Sequence, residues 1–191
     1  MANVIKGFFN KEELDILQPY CRVRIQESTE LPTEKQTPYV PNFIDDPLGL
    51  VFHRKKKSIL EKHLGKSLNT TYVYWRYYGH GSILEMHTDR PACEWSVTTC
   101  IDKTDDWPLI IKGEKVELGI GDALVYNGIF DEHGRPGYFT GDGMAQMFMH
   151  YVDAKGHFVH HTNDEFTKQT GSTMSQTDKT YIDATRLPTS R

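Results

Sequence analysis

The sequence has few cysteines. Cys21, Cys93 and Cys100 are the only three in 191 residues, and no two of them form a Cys-x-x-Cys pair. An odd number of cysteines without that spacing, in a chain whose first residues do not resemble a secretory signal, indicates a reducing compartment. We therefore expect a cytoplasmic protein.

Long apolar runs and an excess of positive charge are also missing. The opening residues, MANVIKGFFNKEELD, contain no apolar run of the length a signal peptide needs, and no later window approaches a membrane span. The 22 Lys and Arg are outnumbered by 26 Asp and Glu, which gives a formal net charge of −4. This balance does not indicate a nucleic-acid partner or a membrane surface.

The apolar content is sufficient for one core. Hydrophobic residues make up 38% of the chain, and they include 10 Tyr, 9 Phe and 3 Trp. A chain of this length is typical of a single domain. We expect that domain to span 1–160, with helical N-terminal support in 1–68 and a β core in 69–160. Residues 161–191 are polar and weakly patterned, and they are predicted to be a C-terminal loop or tail.

Two helices are predicted in the N-terminal part. The first is opened by a capping box of Asn10 and Glu13 and is expected to end at Pro19. The second spans residues 46–64, where an Asp-Pro pair precedes the apolar periodicity and a glycine follows it. Residues 28–47 between them contain four of the nine prolines and are predicted to be an extended connection.

From Thr70 onward the pattern changes to short β runs. Seven segments rich in Val, Ile, Thr and aromatic residues are separated by Gly, Asp and Pro, with no gap long enough for a helix. This pattern predicts an antiparallel sandwich or roll rather than a parallel sheet with crossover helices. The chain is therefore predicted to be mainly β, with N-terminal helices covering one face.

Polar chemistry is concentrated in the stretch EMHTDRPACE, residues 85–94. His87 and Asp89 are two positions apart, so at a strand end both can point to the same side. His133 follows the strand GIGDALVY, which we expect to run beside the His87 strand. Two histidines and one carboxylate on one face are typical of non-haem Fe(II) oxygenases. Six other histidines are interpreted as ordinary hydrogen-bonded residues of the core or surface: His53, His63, His80, His157, His160 and His161.

The region from Tyr72 to Asp153 resembles the iron- and 2-oxoglutarate-dependent dioxygenases, specifically the compact prolyl-4-hydroxylase-like branch. The motifs that carry the resemblance occur in the family's order: YVYWRYYGHGSILEMHTDRPACEWSVTTC, WPLII, GDALVYNG with a later EH, and AQMFMHYVD. The resemblance implies a double-stranded β-helix, or jelly-roll, with His87, Asp89 and His133 as Fe(II) ligands. It also implies a hydroxylase that uses O2 and converts 2-oxoglutarate to succinate and CO2.

The sequence departs from this family at one position. Most members place an Arg or Lys about ten residues after the distal histidine, where it pairs with the far carboxylate of 2-oxoglutarate. Here no Arg or Lys lies between Arg135 and Lys155. Arg76 and Arg135 are the alternatives for this role, beside Tyr78, which matches a cosubstrate-binding tyrosine of the family. Other residues expected near the site are Arg90, which could pair with Glu94 or with a substrate, and Ser96, Thr98, Cys100, Gln146 and His150.

Three functions remain open at this point. The first is the oxygenase, acting on a small-molecule or peptidyl substrate; Asp89 argues against a halogenase, which has a small residue in place of the carboxylate. The second is a cupin-like enzyme using Zn or Mn, which needs a fourth protein ligand and normally an His-x-His pair, absent from this chain. The third is a non-catalytic jelly-roll binding module. The sequence does not indicate the substrate or the oligomeric state.

Overall fold

The computed structural model describes residues 3–28 and 41–186 of the chain. Most of the predicted Pro-rich connection, residues 29–40, lies outside the described residues, as do residues 187–191. Within the described part, none of the helices is both long and apolar enough to cross a bilayer.

The β-strands form two antiparallel sheets. The strands are β1 (Asn3–Ile5), β2 (Asn42–Ile44), β3 (Leu68–Gly79), β4 (Leu84–His87), β5 (Trp95–Lys103), β6 (Leu109–Ile111), β7 (Glu114–Val116), β8 (Ala123–Tyr126), β9 (His133–Arg135) and β10 (Gly143–Asp153). One sheet has the order β1-β8-β5-β10-β3-β2 and the other the order β4-β9-β6-β7. The expectation of a mainly β, antiparallel architecture is confirmed.

Two helices lie in the N-terminal part, as predicted. They are α1 (Lys11–Glu27) and α2 (Pro47–Leu64). The second has the predicted limits: the Asp46 carboxylate accepts a hydrogen bond from the Leu48 backbone N–H, and Gly65 takes the left-handed conformation with φ 64°. The first begins at the predicted capping box of Asn10 and Glu13.

The predicted end of α1 at Pro19 is wrong, because the helix continues to Glu27. Proline removes one backbone hydrogen bond and crowds the preceding turn, but it does not prevent a helix that is anchored on both sides of it. Leu17 and Cys21 provide that anchorage, since both are buried in the main core. Tertiary packing has therefore overridden a local stop signal.

The core has two main parts. One lies between the six-stranded sheet and the two N-terminal helices and includes Phe9, Phe52 and Trp75. The other lies between the two sheets and includes Tyr78 and Phe139. The polar residues of the candidate site occupy the same intersheet space, so the sheets position the site as well as the core.

The prediction of a loop or tail for residues 161–191 is wrong over most of that segment. A short 3₁₀ helix (Val159–Asp164) is followed by α3 (Glu165–Thr170) and α4 (Gln176–Thr185). Ser175 caps α4 through a capping box with Asp178. Ile182 packs with Phe158 in a small third cluster, which attaches α4 to the rest of the domain.

Candidate active site

Strand pairing brings His87 and His133 together. β4 pairs with β9, and in this register His87 lies directly opposite His133, with ring centroids 4.4 Å apart. The prediction that the strand GIGDALVY runs beside the His87 strand is wrong. That strand, β8, pairs with β1 and β5. The short strand β9 after it is the neighbour of β4.

Asp89 completes the group. Its two carboxylate oxygens lie 3.6 Å from the Nε2 atoms of His87 and His133, respectively. One donor atom from each of the three side chains lies within 4.8 Å of the other two. The sequence prediction that these residues from distant segments converge is thus matched by the geometry.

Hydrogen bonds fix both imidazole rings with the same nitrogen facing the carboxylate. His87 Nδ1 lies 2.8 Å from the backbone oxygen of Glu85, and His133 Nδ1 lies 2.8 Å from the backbone oxygen of Asp131. A carbonyl oxygen can only accept, so each Nδ1 carries the proton. Each Nε2 therefore presents a lone pair toward Asp89, which is the arrangement of metal-binding histidines.

The electrostatics of this group favour a cation. Burial lowers the pKa of both histidines, so the imidazoles are neutral near pH 7. Burial also raises the pKa of Asp89 to about 6, although His87, Ser96 and Arg90 oppose the rise. A partly buried carboxylate that faces two neutral imidazoles is a suitable ligand set for a divalent ion, whose charge would stabilise the ionised form of Asp89.

Gly128 leaves the space that the Asp89 carboxylate occupies. The Asp89 backbone N–H donates to the Gly128 oxygen at 2.8 Å. A Cβ at position 128 would lie 2.6 Å from Asp89 Oδ2 and 2.7 Å from Ser96 Oγ. The Ser96 hydroxyl in turn donates to Asp89 Oδ2 at 3.3 Å. Ser96 was predicted to lie near the site. Gly128 was not predicted, and the only indication of it in the sequence is that it lies five residues before His133.

A narrow inner cavity of about 20 Å³ lies beside the three residues, between the sheets. Arg76 and Arg135 both line it and are 4% and 2% exposed. Arg135 Nη2 donates to Gln146 Oε1 at 3.1 Å, and the guanidinium stands 5.1 Å from the centre of the Trp107 ring. No carboxylate among residues 3–28 and 41–186 forms an ion pair with Arg135. Burial lowers its pKa to about 10.

Several buried polar atoms of this cavity have no hydrogen-bond partner within the described part of the chain. A buried donor without a partner costs free energy, and several in one cavity indicate that a polar ligand belongs there. Because one of them is on a guanidinium, an anion matches the set best. They include Tyr78 Oη, Thr98 Oγ1, Arg135 Nε, Gln146 Nε2 and His150 Nε2.

An outer cleft of about 380 Å³ adjoins the inner cavity, and the two share Tyr74, Arg76, His87 and Asp89 as lining residues. The inner cavity is therefore approached through the outer one. Both cavities meet at His87 and Asp89.

No protein-family model and no curated protein matches the chain. Solved structures do. A prolyl 4-hydroxylase from Pseudomonas putida superposes with a TM-score of 0.62 at 14% identity, covering 78% of this chain and 91% of that one. HygX from Streptomyces hygroscopicus, solved with nickel, 2-oxoglutarate and hygromycin B, gives 0.63 at 12% identity over 80% and 82%. The epimerase SnoN from nogalamycin biosynthesis gives 0.62 at 13% identity over 79% and 77%.

The fold is that of the 2-oxoglutarate oxygenases. The predicted double-stranded β-helix is therefore confirmed. In this oxygenase fold the strands β4 and β9 belong to the smaller sheet, while Gln146 and Thr98 come from the larger one. The candidate site thus draws side chains from both sheets.

Of the two alternatives for Arg90, pairing with Glu94 does not occur, and binding of a substrate stays a prediction. Both terminal nitrogens of Arg90 donate to the Asp164 carboxylate, at 2.7 and 2.9 Å, and its guanidinium lies 4.3 Å from the centre of the Tyr72 ring. Glu94 instead accepts a hydrogen bond from the Asp153 backbone N–H at 2.8 Å. Asp164 was missed because it lies in the segment predicted to be a tail.

Tyr126 was also missed. Its hydroxyl lies 3.3 Å from His133 Nε2, and the two rings are 4.6 Å apart. Tyr126 is the last residue of β8, whose four residues are all buried, so alternation of polar and apolar residues gave no signal there. Cys100, by contrast, belongs to the apolar cluster between the sheets and does not line either cavity described above.

Proposed function

We propose that this protein is an Fe(II)- and 2-oxoglutarate-dependent oxygenase that hydroxylates a C–H bond of a small-molecule or peptidyl substrate. The observation that carries the proposal is the convergence of His87 Nε2, Asp89 and His133 Nε2, with both Nδ1 atoms tied to backbone oxygens. Two imidazoles and one carboxylate leave positions for a bidentate cosubstrate and for dioxygen. The fold supports the same conclusion.

When bound, iron and 2-oxoglutarate supply the oxidation, in which the ketoacid becomes succinate and CO2 and one oxygen atom enters the substrate. The protein's part is binding and orientation. His87, Asp89 and His133 would hold the metal, and the hydrogen bonds to Glu85 and Asp131 keep the two rings aligned.

We assign the far carboxylate of 2-oxoglutarate to Arg135. Its guanidinium is fully buried, has no acidic partner in the described residues, and lies in the cavity with the unpartnered Tyr78 hydroxyl and Gln146 amide. The cavity volume of about 20 Å³ accommodates little more than one water molecule. A five-carbon diacid therefore binds only with movement of the lining side chains.

The outer cleft is proposed as the substrate site. Its walls include Tyr72, Tyr74 and Arg90, so it combines aromatic surface with a guanidinium already oriented by Asp164. This composition suits an amino-acid-like or peptidyl substrate with an apolar part and an acidic or carbonyl group.

A cupin-like zinc or manganese site is disfavoured by the donor set. Such a site needs a fourth protein ligand. Among residues 3–28 and 41–186, no further His, Cys, Asp or Glu donor lies within 4.8 Å of all three members of the group.

The test is metal-dependent turnover of 2-oxoglutarate. Metal-stripped protein is supplied with Fe(II), 2-oxoglutarate and O2, and succinate is measured with and without candidate peptides and amino acids. We expect slow succinate release that is abolished in His133→Ala and retained in His80→Ala, which changes an exposed histidine. Absence of both iron binding and succinate release in the folded wild-type protein would contradict the proposal.

A further inference from the structure

A second group of histidines surrounds one buried acid in the C-terminal segment. Asp178, in α4, has a fully buried side chain. The Nε2 atoms of three histidines face it: His157 at 3.4 Å and His160 at 3.2 Å from Oδ1, and His161 at 3.1 Å from Oδ2. None of these residues belongs to the site described above.

The sequence predicts ordinary hydrogen-bonded histidines here, and His160 and His161 do form hydrogen bonds with Asp178, but that prediction did not anticipate three imidazoles around one carboxylate. Adjacent residues on a strand point to opposite faces, but His160 and His161 lie in the 3₁₀ helix Val159–Asp164. There, successive side chains are separated by about 120° because the helix has about three residues per turn. This angle is smaller than the 180° of a strand, and it allows both imidazoles to reach the same carboxylate.

The two oxygens of Asp178 are not equivalent. Oδ2 accepts hydrogen bonds from the Ser175 backbone N–H at 2.9 Å and from the Ser175 hydroxyl at 2.7 Å, and it is also hydrogen-bonded to His160 Nε2 at 3.3 Å and His161 Nε2 at 3.1 Å. Oδ1 and His157 Nε2 are buried and have no hydrogen-bond partner in the part of the chain that the structure describes. A fully buried carboxylate oxygen without a partner, facing imidazole nitrogens, indicates a missing cation.

The spacing of the donor atoms suits a tetrahedral transition metal. Zinc bonds of about 2.0–2.1 Å at tetrahedral angles separate neighbouring donors by about 3.3 Å. The separations from the Asp178 oxygens to the three Nε2 atoms are 3.1–3.4 Å. One donor atom each of His160, His161 and Asp178 lies within 4.8 Å of the other two.

We propose that His160, His161 and Asp178 bind one zinc-class divalent metal ion in a structural site. His157, whose Nε2 lies 3.4 Å from Asp178 Oδ1 but outside the group of donors within 4.8 Å of one another, would move toward the ion as the fourth ligand. Four protein ligands leave no open position, which distinguishes this site from the one at His87. The ion would link the turn that precedes α3 to the first turns of α4, and so fix the C-terminal segment.

This segment borders the outer cleft. Asp164, three residues after His161, binds Arg90. Arg186, one residue beyond α4, donates to Thr88 Oγ1 at 3.1 Å and to the Ile129 oxygen at 2.7 Å. A metal at Asp178 would therefore stabilise the elements that contact residues on both sides of Asp89.

The test counts metal ions in the full-length, tag-free chain. After metal removal, the wild-type protein is titrated with Co(II) and with Zn(II), and binding is followed by calorimetry and by Co(II) absorption. We expect two equivalents in the wild type and one in the double variant His87→Ala/His133→Ala. The equivalent that remains in the double variant should show the intense visible absorption of tetrahedral Co(II).

Asp178→Asn keeps the size of the side chain and removes its charge, so it is the principal variant. In the double-variant background we expect it to weaken Zn(II) binding at least 100-fold. Zn(II) at about 100 times its dissociation constant should raise the thermal midpoint of the double variant by about 5–10 °C, and Asp178→Asn should abolish that rise. His80→Ala serves as the control histidine and should leave binding unchanged.

His157→Ala and His160→Ala separate loss of binding from loss of folding, because their side chains are 27% and 37% exposed. Both should fold without metal and bind Zn(II) more weakly than the parent. No bound equivalent in the double variant His87→Ala/His133→Ala, or unchanged binding after Asp178→Asn in that background, would overturn the proposal and leave a hydrogen-bonded His–Asp cluster. Because this background lacks two residues of the first site and turnover is not measured, failure here is distinguishable from failure of the oxygenase proposal.

Discussion

The carboxylate-binding role that we propose for Arg135 would be filled from a different sequence position than in most members of the family that the sequence resembles. Arg135 lies two residues after His133 on the same short strand, rather than about ten residues after it. Two residues along a strand return to the same face, so Arg135 points into the cavity that His133 borders. The sequence narrowed the choice to Arg76 and Arg135, and burial without an acidic partner in the described residues favours Arg135.

The first prediction concerns this arginine. Arg135→Gln keeps a polar side chain of intermediate length and removes the charge proposed to pair with the far carboxylate. Loss of one charge-assisted contact in a buried site typically costs about 2–4 kcal/mol, so the dissociation constant for 2-oxoglutarate should rise about 30- to 1,000-fold. The measurement is anaerobic titration of the metal-loaded protein with 2-oxoglutarate.

Arg76→Gln is the matched control, because Arg76 is a buried arginine that lines the same cavity. We expect it to change 2-oxoglutarate affinity by less than Arg135→Gln does, while metal affinity remains unchanged in both variants. The reverse order of the two effects would transfer the assignment to Arg76.

The three residues of the candidate metal group could be predicted from the sequence because two imidazoles and one carboxylate stand at positions whose direction can be inferred. His87 and Asp89 have the spacing of one strand face, and His133 follows a strand with a turn before it. Tyr126, Gly128 and Asp164 could not be predicted in the same way. Their roles depend on which loops approach Asp89 and Arg90, and that information is tertiary.

At the scale of secondary structure, some elements could be predicted from local sequence, whereas others depend on tertiary packing. The limits of α2 follow from its cap residues, Asp46 and Gly65, and were predicted correctly. β9 consists of His133, Gly134 and Arg135, which have no β pattern, so its pairing with β4 had no sequence signal. α4 did have one, since Ser175 and Asp178 have capping-box spacing, but the polar surroundings obscured it.

The second prediction concerns Pro19 within α1. The residue is exposed, so replacing it sacrifices no buried surface. Pro19→Ala restores one backbone hydrogen bond donor and removes the clash with the preceding turn, and the greater entropy of the unfolded chain offsets part of this gain. We expect the free energy of unfolding to rise by about 2 kcal/mol in urea denaturation.

The control for this prediction is Ile16→Ala, an exposed position on the same helix. Its effect should remain within about 0.5 kcal/mol. A decrease in stability for Pro19→Ala would mean that the helix needs the kink that proline imposes in order to pack Leu17 and Cys21.

The third prediction concerns the contact between α1 and α2. The Glu13 carboxylate, 6% exposed, accepts a hydrogen bond from Lys56 at 2.6 Å and pairs with Lys55 at 3.0 Å. Burial opposes its ionisation, but hydrogen bonds from Lys56, the Asn10 backbone and Lys55 outweigh burial and lower its pKa below the ordinary 4.5. This stability is therefore present above the unfolded-state pKa and is lost as the pH falls through the folded-state pKa.

Lys56→Met removes one partner and leaves the carboxylate buried. We expect a loss of about 1–3 kcal/mol at pH 7, because Lys55 and the capping box continue to satisfy part of Glu13. Between pH 7 and pH 3 the variant should lose less stability than the wild type does, which urea denaturation across that range measures. Equal pH dependence in the two proteins would contradict the role given to the Lys56 contact.

At the scale of the whole molecule, the C-terminal segment is attached to the β-helix at points close to the candidate active site. The Arg90–Asp164 pair lies next to Asp89, and Arg186 contacts Thr88. Asn163 and Asp164 both have positive φ, 53° and 56°, so the chain turns sharply where it reaches Arg90. This attachment explains why a polar segment without an obvious apolar pattern is ordered.

The fourth prediction tests that attachment with Asp164→Asn. Asparagine tolerates the left-handed conformation at least as well as aspartate, so the change isolates the loss of charge. Hydrogen bonds to a charged partner contribute about 1.5–3 kcal/mol, and the pair is largely buried, with side chains 22% and 14% exposed. Amide hydrogen exchange in residues 159–185 should accelerate about 10- to 100-fold, while the amides of β10 remain protected.

The control is Glu165→Gln, which alters the next acid but not the Arg90 contact and should leave exchange unchanged. Equal exchange in Asp164→Asn and the wild type would show instead that the apolar packing of Ile182 and Phe158 is sufficient to hold the segment in place.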